Sequence, residues 1–369
     1  MPVLGMRSRL LQPETPLGEI GERELVRHLQ SRIPLGPGVV VGVGDDAAVV
    51  ELGPLTLVTA DSLVEGVHFR REWSPPRLLG RKALSVNLSD IAAMAGVPRH
   101  ATVSLCLPPE TTLAFVDGLY DGLLERAAET GVNLVGGNLS ASGNAIVVDV
   151  TLLGEAERIV RRSGARVGDL VVLTGYLGAA VAGLRLLLQG ARLDEEGELV
   201  ATGMWTETSA EAVAHCLRAH LDPRPPLTFA RALSERDLVH AAIDVSDGLS
   251  GDLQQLCQAS EVGATIDGAV VPVDRHAAGL ERARGGDALS LALNGGEDYE
   301  LLLAVPPDGV GALRDLAVVW NLPLTVLGEF TSGPEVLLKR GETVAPLPAA
   351  GHDHFRTLRS DPPAAGGGG

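Results

Sequence analysis

Acidic residues beside apolar segments are the pattern that most constrains how this chain folds. They are Asp45 and Asp46 after "VVVGVG", Asp61 after "LTLVTA", Asp90 within "NLSDIAAMAG", Asp244 and Asp247 after "HAAI", and Glu297 and Asp298 after "LALNGG". In open α/β folds, ligands gather at the ends of strands. Carboxylates crowded there repel one another unless a positive group lies among them. The pattern therefore predicts an α/β fold with a cation among these side chains.

The ligand that this pattern predicts is a polyphosphate held through metal. Mg²⁺ prefers oxygen ligands and is commonly bound by protein carboxylates together with phosphates, while glycines in the same turns leave backbone N–H groups open to an anion. Each stretch also has a plainer interpretation. An isolated Gly-Asp is an ordinary turn, and "NLSD" is equally typical of a helix start capped by Asn87 or Ser89. The repetition is what favours the metal site.

Two domains are expected, because 369 residues exceed what one core usually supports. Strand and helix patterns alternate to about residue 155 and then begin a second cycle. The predicted division is a leader at 1–17, an N-terminal domain at 18–155, a C-terminal domain at 156–355, and a tail at 356–369 whose composition is typical of disorder.

Within these domains the apolar periodicity predicts individual elements. Strands are predicted at "VVVGVG", "LTLVTAD", "ATVSLCL", "NLV" before a Gly-Gly turn that presents Asn138, "AIVVDVTLLGEA", "GDLVVLTG", "LALN" and "LTVLGEF". Helices are predicted at "GERELVRHLQSRI", "LLGRKALSVNLSDIAAMAG", "TTLAFVDGLYDGLLERAAETG", the Ala/Leu stretch that ends near Gly190, and "GVGALRDLAVVW".

Composition and spacing exclude several classes of protein. A formal net charge of −17 argues against a nucleic-acid interface, which needs a clustered basic surface. Cys106, Cys216 and Cys257 have neither disulfide-framework nor zinc spacing, so we interpret them as buried apolar side chains in a reducing cytoplasm. The first residues lack the apolar core of a signal peptide. The apolar stretch 170–188 is interpreted as a strand, a turn and a helix, not as a membrane span.

The common nucleotide-binding signatures are missing. The chain has no GxxxxGK[ST] loop and only two lysines, Lys82 and Lys339, so a P-loop lysine is excluded, as are the protein-kinase motifs. Arg161 and Arg162 are candidates for phosphate contact, and a solvated basic turn is an equally good interpretation of either. Whatever holds the phosphates is built differently from these known loops.

An ordered set of motifs resembles the thiamine-monophosphate kinase family, within the superfamily of aminoimidazole-ribonucleotide synthetase and selenophosphate synthetase. The motifs are "GVGDDAA", "TADSLVEGVHF", "KALSVNLSDIAAMAGVP", "GGNLS", "RSGARVGD", "IDVSDGL", "NGGEDYELL" and "GHDHF". The resemblance runs from about Gly18 to Phe355. It implies a two-domain α/β (α+β) fold like that of aminoimidazole-ribonucleotide synthetase, with an N-terminal sheet that closes a barrel across a homodimer. It also implies ATP-dependent phosphorylation of thiamine monophosphate to thiamine diphosphate with several Mg²⁺ ions, at a site between the domains.

The resemblance also implies roles for individual residues, motif by motif. The implied metal ligands are Asp46, Thr59, Asp61, Asp90, Asn138, Asp244 and Asp247. The implied ATP contacts are Gly137, Asn138, Arg162 and Ser246, and the implied thiamine phosphate contacts are His68, Glu297 and His352. Outside these motifs, His68 would more often be a core or surface histidine and Glu297 a turn carboxylate. A phosphate monoester acceptor is mostly ionised at neutral pH, so no residue is predicted to act as general base.

Three residues depart from the family's usual pattern. Asn138 stands where an Asp is usual, Ala60 where a Thr is common, and His352 where a Tyr or Trp is usual. An amide oxygen coordinates Mg²⁺ without bringing charge, so our hypothesis is that Asn138 keeps the geometry and lowers metal affinity. These departures leave two alternatives open, the same fold acting on a different phosphate acceptor and a catalytically silent nucleotide-binding paralogue. Selenophosphate synthesis is disfavoured because the N-terminal part of the chain has no reactive cysteine.

Overall fold

The computed structural model describes residues 12–20, 22–41, 48–200, 207–234 and 236–348. The chain divides into two compact units. The first contains the chain up to Ile159 together with Gly190–Thr206 and Leu221–Leu227, and the second contains Val160–Gln189, Glu207–His220 and the chain from Thr228 onward. Each unit is described by itself below.

The helices in chain order are α1 (Leu17–Ile20), α2 (Glu22–Gln30), α3 (Pro76–Ala93), α4 (Leu113–Thr130), α5 (Ala179–Leu188), α6 (Glu207–Leu221), α7 (Leu227–Ser234), α8 (Leu249–Ser260), α9 (Arg275–Ala283), α10 (Ala288–Asn294) and α11 (Val310–Val319). The strands are β1 (Val39–Val41), β2 (Val49–Val50), β3 (Leu55–Val64), β4 (Val97–Leu107), β5 (Asn133–Ala141), β6 (Val147–Ala156), β7 (Leu170–Thr174), β8 (Ala241–Val245), β9 (Gly263–Asp267), β10 (Glu300–Val305), β11 (Leu324–Thr331), β12 (Val336–Arg340) and β13 (Thr343–Pro346). No helix within the described ranges is long and apolar enough to cross a membrane.

The first unit is built on a four-stranded sheet in the order β3-β6-β4-β5. β6 runs antiparallel to β3 and β4, whereas β4 and β5 are parallel. Every second residue of β6 is buried, which is the alternation expected of a sheet with one face on a core. α3 packs on this sheet and against α4. Helix axes approach closely there, because a Cβ atom at Gly80 would lie 2.0 Å from the Leu119 carbonyl oxygen.

This sheet is open within the described part of the chain. β3 and β5 form its two edges, so the predicted barrel does not close within one copy. Two apolar side chains on opposite faces of β3 are exposed, Val58 at 64% and Leu55 at 44%. An apolar edge strand of this length is a surface that proteins usually cover or pair.

A buried ionic network ties residues 221–227 to the rest of the first unit. The Arg81 Nε donates to Asp222 Oδ1 at 2.9 Å, and Arg126 also donates to that carboxylate. The Arg81 and Arg126 side chains are 7% and 5% exposed. Burial lowers the pKa of Arg126, and the Asp222 charge opposes that shift. Asp222 is therefore a shared counter-ion of two desolvated guanidinium groups, both of which also pair with the more exposed Glu129.

The second unit is built on a seven-stranded sheet in the order β13-β12-β9-β11-β7-β10-β8. Neighbours in this sheet are antiparallel except β12 and β9, which are parallel. α8 packs on β8, β9 and β12. The core of the second unit combines strand residues such as Val171, Ile243 and Leu302 with Leu253 of α8. All four side chains are almost fully buried.

Two local predictions are wrong. The predicted Gly-Gly turn is absent, because β5 continues through Gly136, Gly137 and Asn138 to Ala141. The predicted strand "LALN" is instead the end of α10, whose start is capped by Asp287 accepting the Leu289 N–H at 3.0 Å. A short apolar run does not distinguish a buried strand from a helix.

Candidate active site

Three predicted ligands of the first unit lie on β3 and α3. Thr59 and Asp61 alternate with exposed residues on β3 and so share one face of the strand. Asp90 is partly exposed at a position of α3 whose neighbours are buried. The Thr59 hydroxyl donates a hydrogen bond to Asp90 Oδ2. The packing of α3 on the sheet therefore brings Thr59 and Asp90 together. Asp61 lies inside β3, not at its end as predicted.

Gly137 and Asn138 lie beside β4 on the exposed part of β5. A Cβ atom at Gly137 would lie 2.0 Å from the Val103 carbonyl oxygen, so glycine is required there by strand packing. Asn138 pairs in register with Ser104, and its Nδ2 donates to Ser140 Oγ at 3.1 Å. This bond orients the amide.

In the second unit, the predicted residues Asp244, Ser246 and Asp247 lie where β8 ends and α8 begins. The turn contains Gly248 at φ +107°, and a Cβ atom there would lie 3.0 Å from the Gly295 carbonyl oxygen. Only glycine fits this backbone conformation and this close approach. The sharp turn places two carboxylates and a hydroxyl within four residues of each other.

Asp252 is a further acidic residue of this turn that the sequence analysis did not single out. It is 1% exposed, and its Oδ2 accepts the Asp247 N–H at 3.1 Å. Burial, followed by the charges of Asp244 and Asp247, raises the pKa of Asp252 to about 7. Its position in the first turn of α8, five residues after Asp247, is the only signal in the sequence that could have indicated it.

Antiparallel pairing explains how Glu297 and Asp298 come near this turn. Both residues precede β10 and do not end a strand, which corrects the prediction. Glu300, the first residue of β10, pairs with Val245, the last residue of β8. The end of one strand thereby meets the start of its neighbour. The Glu297 N–H donates to the Ser246 carbonyl oxygen at 2.8 Å, which links the two loops directly.

Asp298 and Glu300 brace the turn after β7. Asp298 accepts the N–H groups of Gly178 and Ala180 at 2.7 and 3.2 Å, at the start of α5. Glu300 accepts the Thr174 hydroxyl at 2.5 Å. Burial raises the pKa of both carboxyl groups to about 7. Because the carboxylate of Asp298 is engaged by a helix N-terminus, we interpret it as a structural cap.

His68 is partly exposed and Arg162 is exposed. The Val64 N–H donates to His68 Nδ1 at 3.0 Å, so the neutral ring carries its proton on Nε2. Arg162 Nη1 donates to Gln255 Oε1 at 3.0 Å. An N–H donor and a guanidinium are suitable partners for phosphate oxygens.

Two predicted site residues, Asp46 and His352, lie outside the described residues. Among the residues that the structure does describe, no three His, Cys, Asp or Glu side chains form a group that could hold a metal ion. Mg²⁺ in phosphate-transferring sites is usually bound by one or two carboxylates, with phosphates and water completing the coordination. A closed protein cage is therefore not required for this type of ion.

Comparison with known proteins assigns the family. The family model described as "AIR synthase related protein, N-terminal domain" matches residues 44–156, and the corresponding C-terminal domain matches residues 166–339. Thiamine-monophosphate kinase of Bacillus subtilis (strain 168) is 33% identical over 343 residues, which cover 91% of this chain and 99% of that protein.

Two solved structures are similar along most of their length. Thiamine-monophosphate kinase from Stenotrophomonas maltophilia K279a has 33% identity and a TM-score of 0.74, covering 85% of this chain and 95% of that one. AaThiL complexed with AMPPCP and TMP has 30% identity and a TM-score of 0.69, covering 92% and 99%. The two-domain α/β fold is thus that of the AIR synthase related proteins. The chain belongs to the thiamine-monophosphate kinase family.

Proposed function

We propose that this protein transfers the terminal phosphate of ATP to thiamine monophosphate and forms thiamine diphosphate. The observation that carries this proposal is the similarity to AaThiL complexed with AMPPCP and TMP, since it extends over 92% of this chain and 99% of that one. AMPPCP is an ATP analogue, so that complex pairs a nucleotide with the acceptor. The enzyme is therefore a kinase whose acceptor is itself a phosphate.

The reaction requires little proton transfer. The acceptor phosphate is mostly ionised at neutral pH, because its second pKa is about 6, and its oxygen attacks without a general base. The obstacle is the mutual repulsion of two polyanions, so positioning and charge stabilisation account for most of the catalysis. This agrees with a site rich in carboxylates and turns.

The donor set fits Mg²⁺. Burial, followed by the charges of Asp244 and Asp247, raises the pKa of Asp252 to about 7, so these carboxylates lie near one another. One or two carboxylates together with phosphate oxygens and water are the ligands that Mg²⁺ usually takes in such sites. When bound, Mg²⁺ neutralises phosphate charge and aligns the donor and acceptor. The proposed ligands are Asp46, Thr59, Asp61, Asp90, Asn138, Asp244 and Asp247.

The remaining side chains contact the two substrates. We assign Gly137, Asn138, Arg162 and Ser246 to ATP, and His68, Glu297 and His352 to thiamine monophosphate. Hydrogen bonding supports the assignment of His68, because the Val64 N–H donates to Nδ1 and fixes the orientation of the ring. Gly137 has no side chain, and strand packing leaves no space for one. Its proposed contact with ATP is therefore made by its backbone.

We also propose a homodimer in which the N-terminal sheets of two copies close a barrel. The open edges of the four-stranded sheet and the exposed Val58 and Leu55 support this arrangement. Sedimentation of the wild-type protein and of a Val58→Asp variant tests it, with a dimer and a weakened dimer expected. Three cysteines with free thiols are consistent with the cytoplasm as the proposed compartment.

The proposed reaction is tested by incubating the protein with Mg-ATP and a panel of acceptors, then separating the products by chromatography. Thiamine diphosphate is expected from thiamine monophosphate, and little product from thiamine or other phosphate monoesters. Asp244→Asn is expected to lose most activity. Asp267→Asn is the matched control, because Asp267 also ends a strand of the second unit but pairs with Lys339 at 3.5 Å. Equal turnover of an unrelated acceptor would contradict the proposed substrate.

A further inference from the structure

The loop that contains Glu297 has a backbone that side chains rarely adopt. It joins α10 to β10, and Glu297 and Tyr299 have φ of +67° and +53°. Such left-handed conformations cost energy in residues other than glycine and are kept where the surroundings enforce them. Here the Glu297 N–H bonds to Ser246 and the Tyr299 N–H to Val245, at 2.8 and 2.9 Å. The backbone at Glu297 is therefore fixed against the turn between β8 and α8.

The direction of the Glu297 side chain is set by His220. His220 Nδ1 lies 2.9 Å from Glu297 Oε2. The His220 side chain is 3% exposed, whereas that of Glu297 is 26% exposed. A buried ring thus lies against one oxygen of a partly exposed carboxylate. This is the arrangement expected when a buried residue positions a carboxylate that contacts a ligand on its exposed side.

His220 itself is held rigidly. It lies in the last turn of α6, and α5 packs closely on it. A Cβ atom at Gly183 of α5 would lie 2.0 Å from the Cys216 carbonyl oxygen and 3.0 Å from His220 Cβ. The two helices are thus packed closely at this point, and the His220 side chain, 3% exposed, is enclosed by protein atoms.

We propose that His220 is a positioning residue for the acceptor substrate, acting through the Glu297 carboxylate. The proposal rests on the proposed function, in which Glu297 contacts thiamine monophosphate. The thiazolium ring of that molecule is a permanent cation, which a carboxylate attracts. A carboxylate already fixed by His220 loses little side-chain freedom when the substrate binds, so binding is tighter. ATP binding and the transfer step do not depend on this contact.

The test is steady-state kinetics of His220→Ala with thiamine monophosphate and ATP varied separately. The KM for thiamine monophosphate is expected to rise about tenfold, the loss typical of a partly buried interaction with a charged group. The kcat and the KM for ATP are expected to stay within about twofold. His220→Asn keeps an N–H donor near the position of Nδ1 and is expected to restore most of the affinity.

His240→Ala is the matched control. His240 also presents Nδ1 to a carboxylate of the second unit, Asp169 Oδ2, at 2.8 Å. Its loss removes the same kind of pair from a place without a proposed substrate contact. If His240→Ala raises the KM for thiamine monophosphate as much as His220→Ala does, the His220 effect is a general loss of stability and the proposal is wrong.

A double-mutant cycle shows whether His220 acts through Glu297. The KM of His220→Ala combined with Glu297→Ala is expected to equal that of Glu297→Ala alone. Additive effects would overturn the proposal. If the wild-type enzyme is active and His220→Ala has an unchanged KM for thiamine monophosphate, this inference is wrong and the proposed function stands. A folded wild-type protein that does not phosphorylate thiamine monophosphate contradicts the proposed function and, with it, this inference.

Discussion

Replacing Gly137 with alanine is expected to destabilise the first unit far more than the same change at the adjacent Gly136. A Cβ atom at Gly137 would lie 2.0 Å from the Val103 carbonyl oxygen, and real Cβ atoms essentially never approach closer than 3.0 Å. β4 and β5 would have to separate by about 1 Å, the difference between these two distances. β4 cannot shift easily because it pairs with β5 on one side and β6 on the other.

The magnitude follows from this clash. Overpacking typically costs about 1–3 kcal/mol, and a backbone partner in the sheet interior places Gly137→Ala at the upper end. A loss of about 3 kcal/mol lowers the Tm by roughly 6–12 °C in a unit of this size. At Gly136, the nearest atom to a Cβ is Thr102 Cγ2 at 3.7 Å, an ordinary contact. Gly136→Ala is therefore expected to change stability by less than about 1 kcal/mol.

Thermal unfolding of both variants, followed by circular dichroism without nucleotide, separates stability from the proposed role of Gly137 in ATP binding. The Tm of Gly137→Ala is expected to lie well below that of the wild-type protein, whereas the Tm of Gly136→Ala is expected to lie close to it. Equal Tm values for the two alanine variants would refute the argument that strand packing requires glycine at position 137. ATP affinity of the folded Gly137→Ala protein then reports on the nucleotide contact.

Three other substitutions probe the charges of the two units. Asp222→Ala removes the more buried of the two carboxylates shared by Arg81 and Arg126, while Glu129 still pairs with both. It should cost about 1.5–3 kcal/mol in urea unfolding, whereas Asp121→Ala, at an exposed ion pair, should cost less than about 1 kcal/mol. Equal costs would contradict the network. The pKa of Asp252 in the folded protein is raised to about 7 from an ordinary value of 3.8. Ionisation of this carboxyl group therefore opposes folding. The free energy of unfolding of the metal-free protein should fall as the pH rises between these two values. The stability gain of Asp252→Asn over wild type, measured in EDTA, should therefore increase from pH 5 to pH 8, and a constant gain would exclude this titration. Asn138→Asp should lower the Mg²⁺ concentration that gives half-maximal activity, since it adds charge, and an unchanged Mg²⁺ titration would disprove the hypothesis for Asn138.

The long elements could be predicted from the sequence because their periodicity is strong. α3 and α4 run through the stretches expected to be helical, and Gly131 ends α4 at φ +74° as a glycine after a helix usually does. α3 begins at Pro76, so Asn87 and Ser89 lie inside the helix and cap nothing. Local sequence could not decide that point, because both residues also favour helix starts.

Errors arose where tertiary packing decided the local structure. Gly137 was interpreted as a turn residue because glycine favours turns, but the close approach of Val103 in β4 is what requires it. The grouping of acidic residues was argued from the ends of strands in an open α/β fold. In the second unit it results instead from antiparallel pairing of Glu300 with Val245. Asp252 was missed because its burial beside two other carboxylates depends on how α8 packs on β8.

The central claim is direct phosphoryl transfer from ATP to thiamine monophosphate, and ³¹P NMR of the reaction tests it most directly. The account predicts that the thiamine monophosphate resonance is replaced by the two coupled resonances of thiamine diphosphate as ADP forms in equal amount. It also predicts that Asp244→Asn loses this conversion while Asp267→Asn keeps it. ADP and inorganic phosphate without thiamine diphosphate, from a folded wild-type protein with Mg-ATP, would contradict the account.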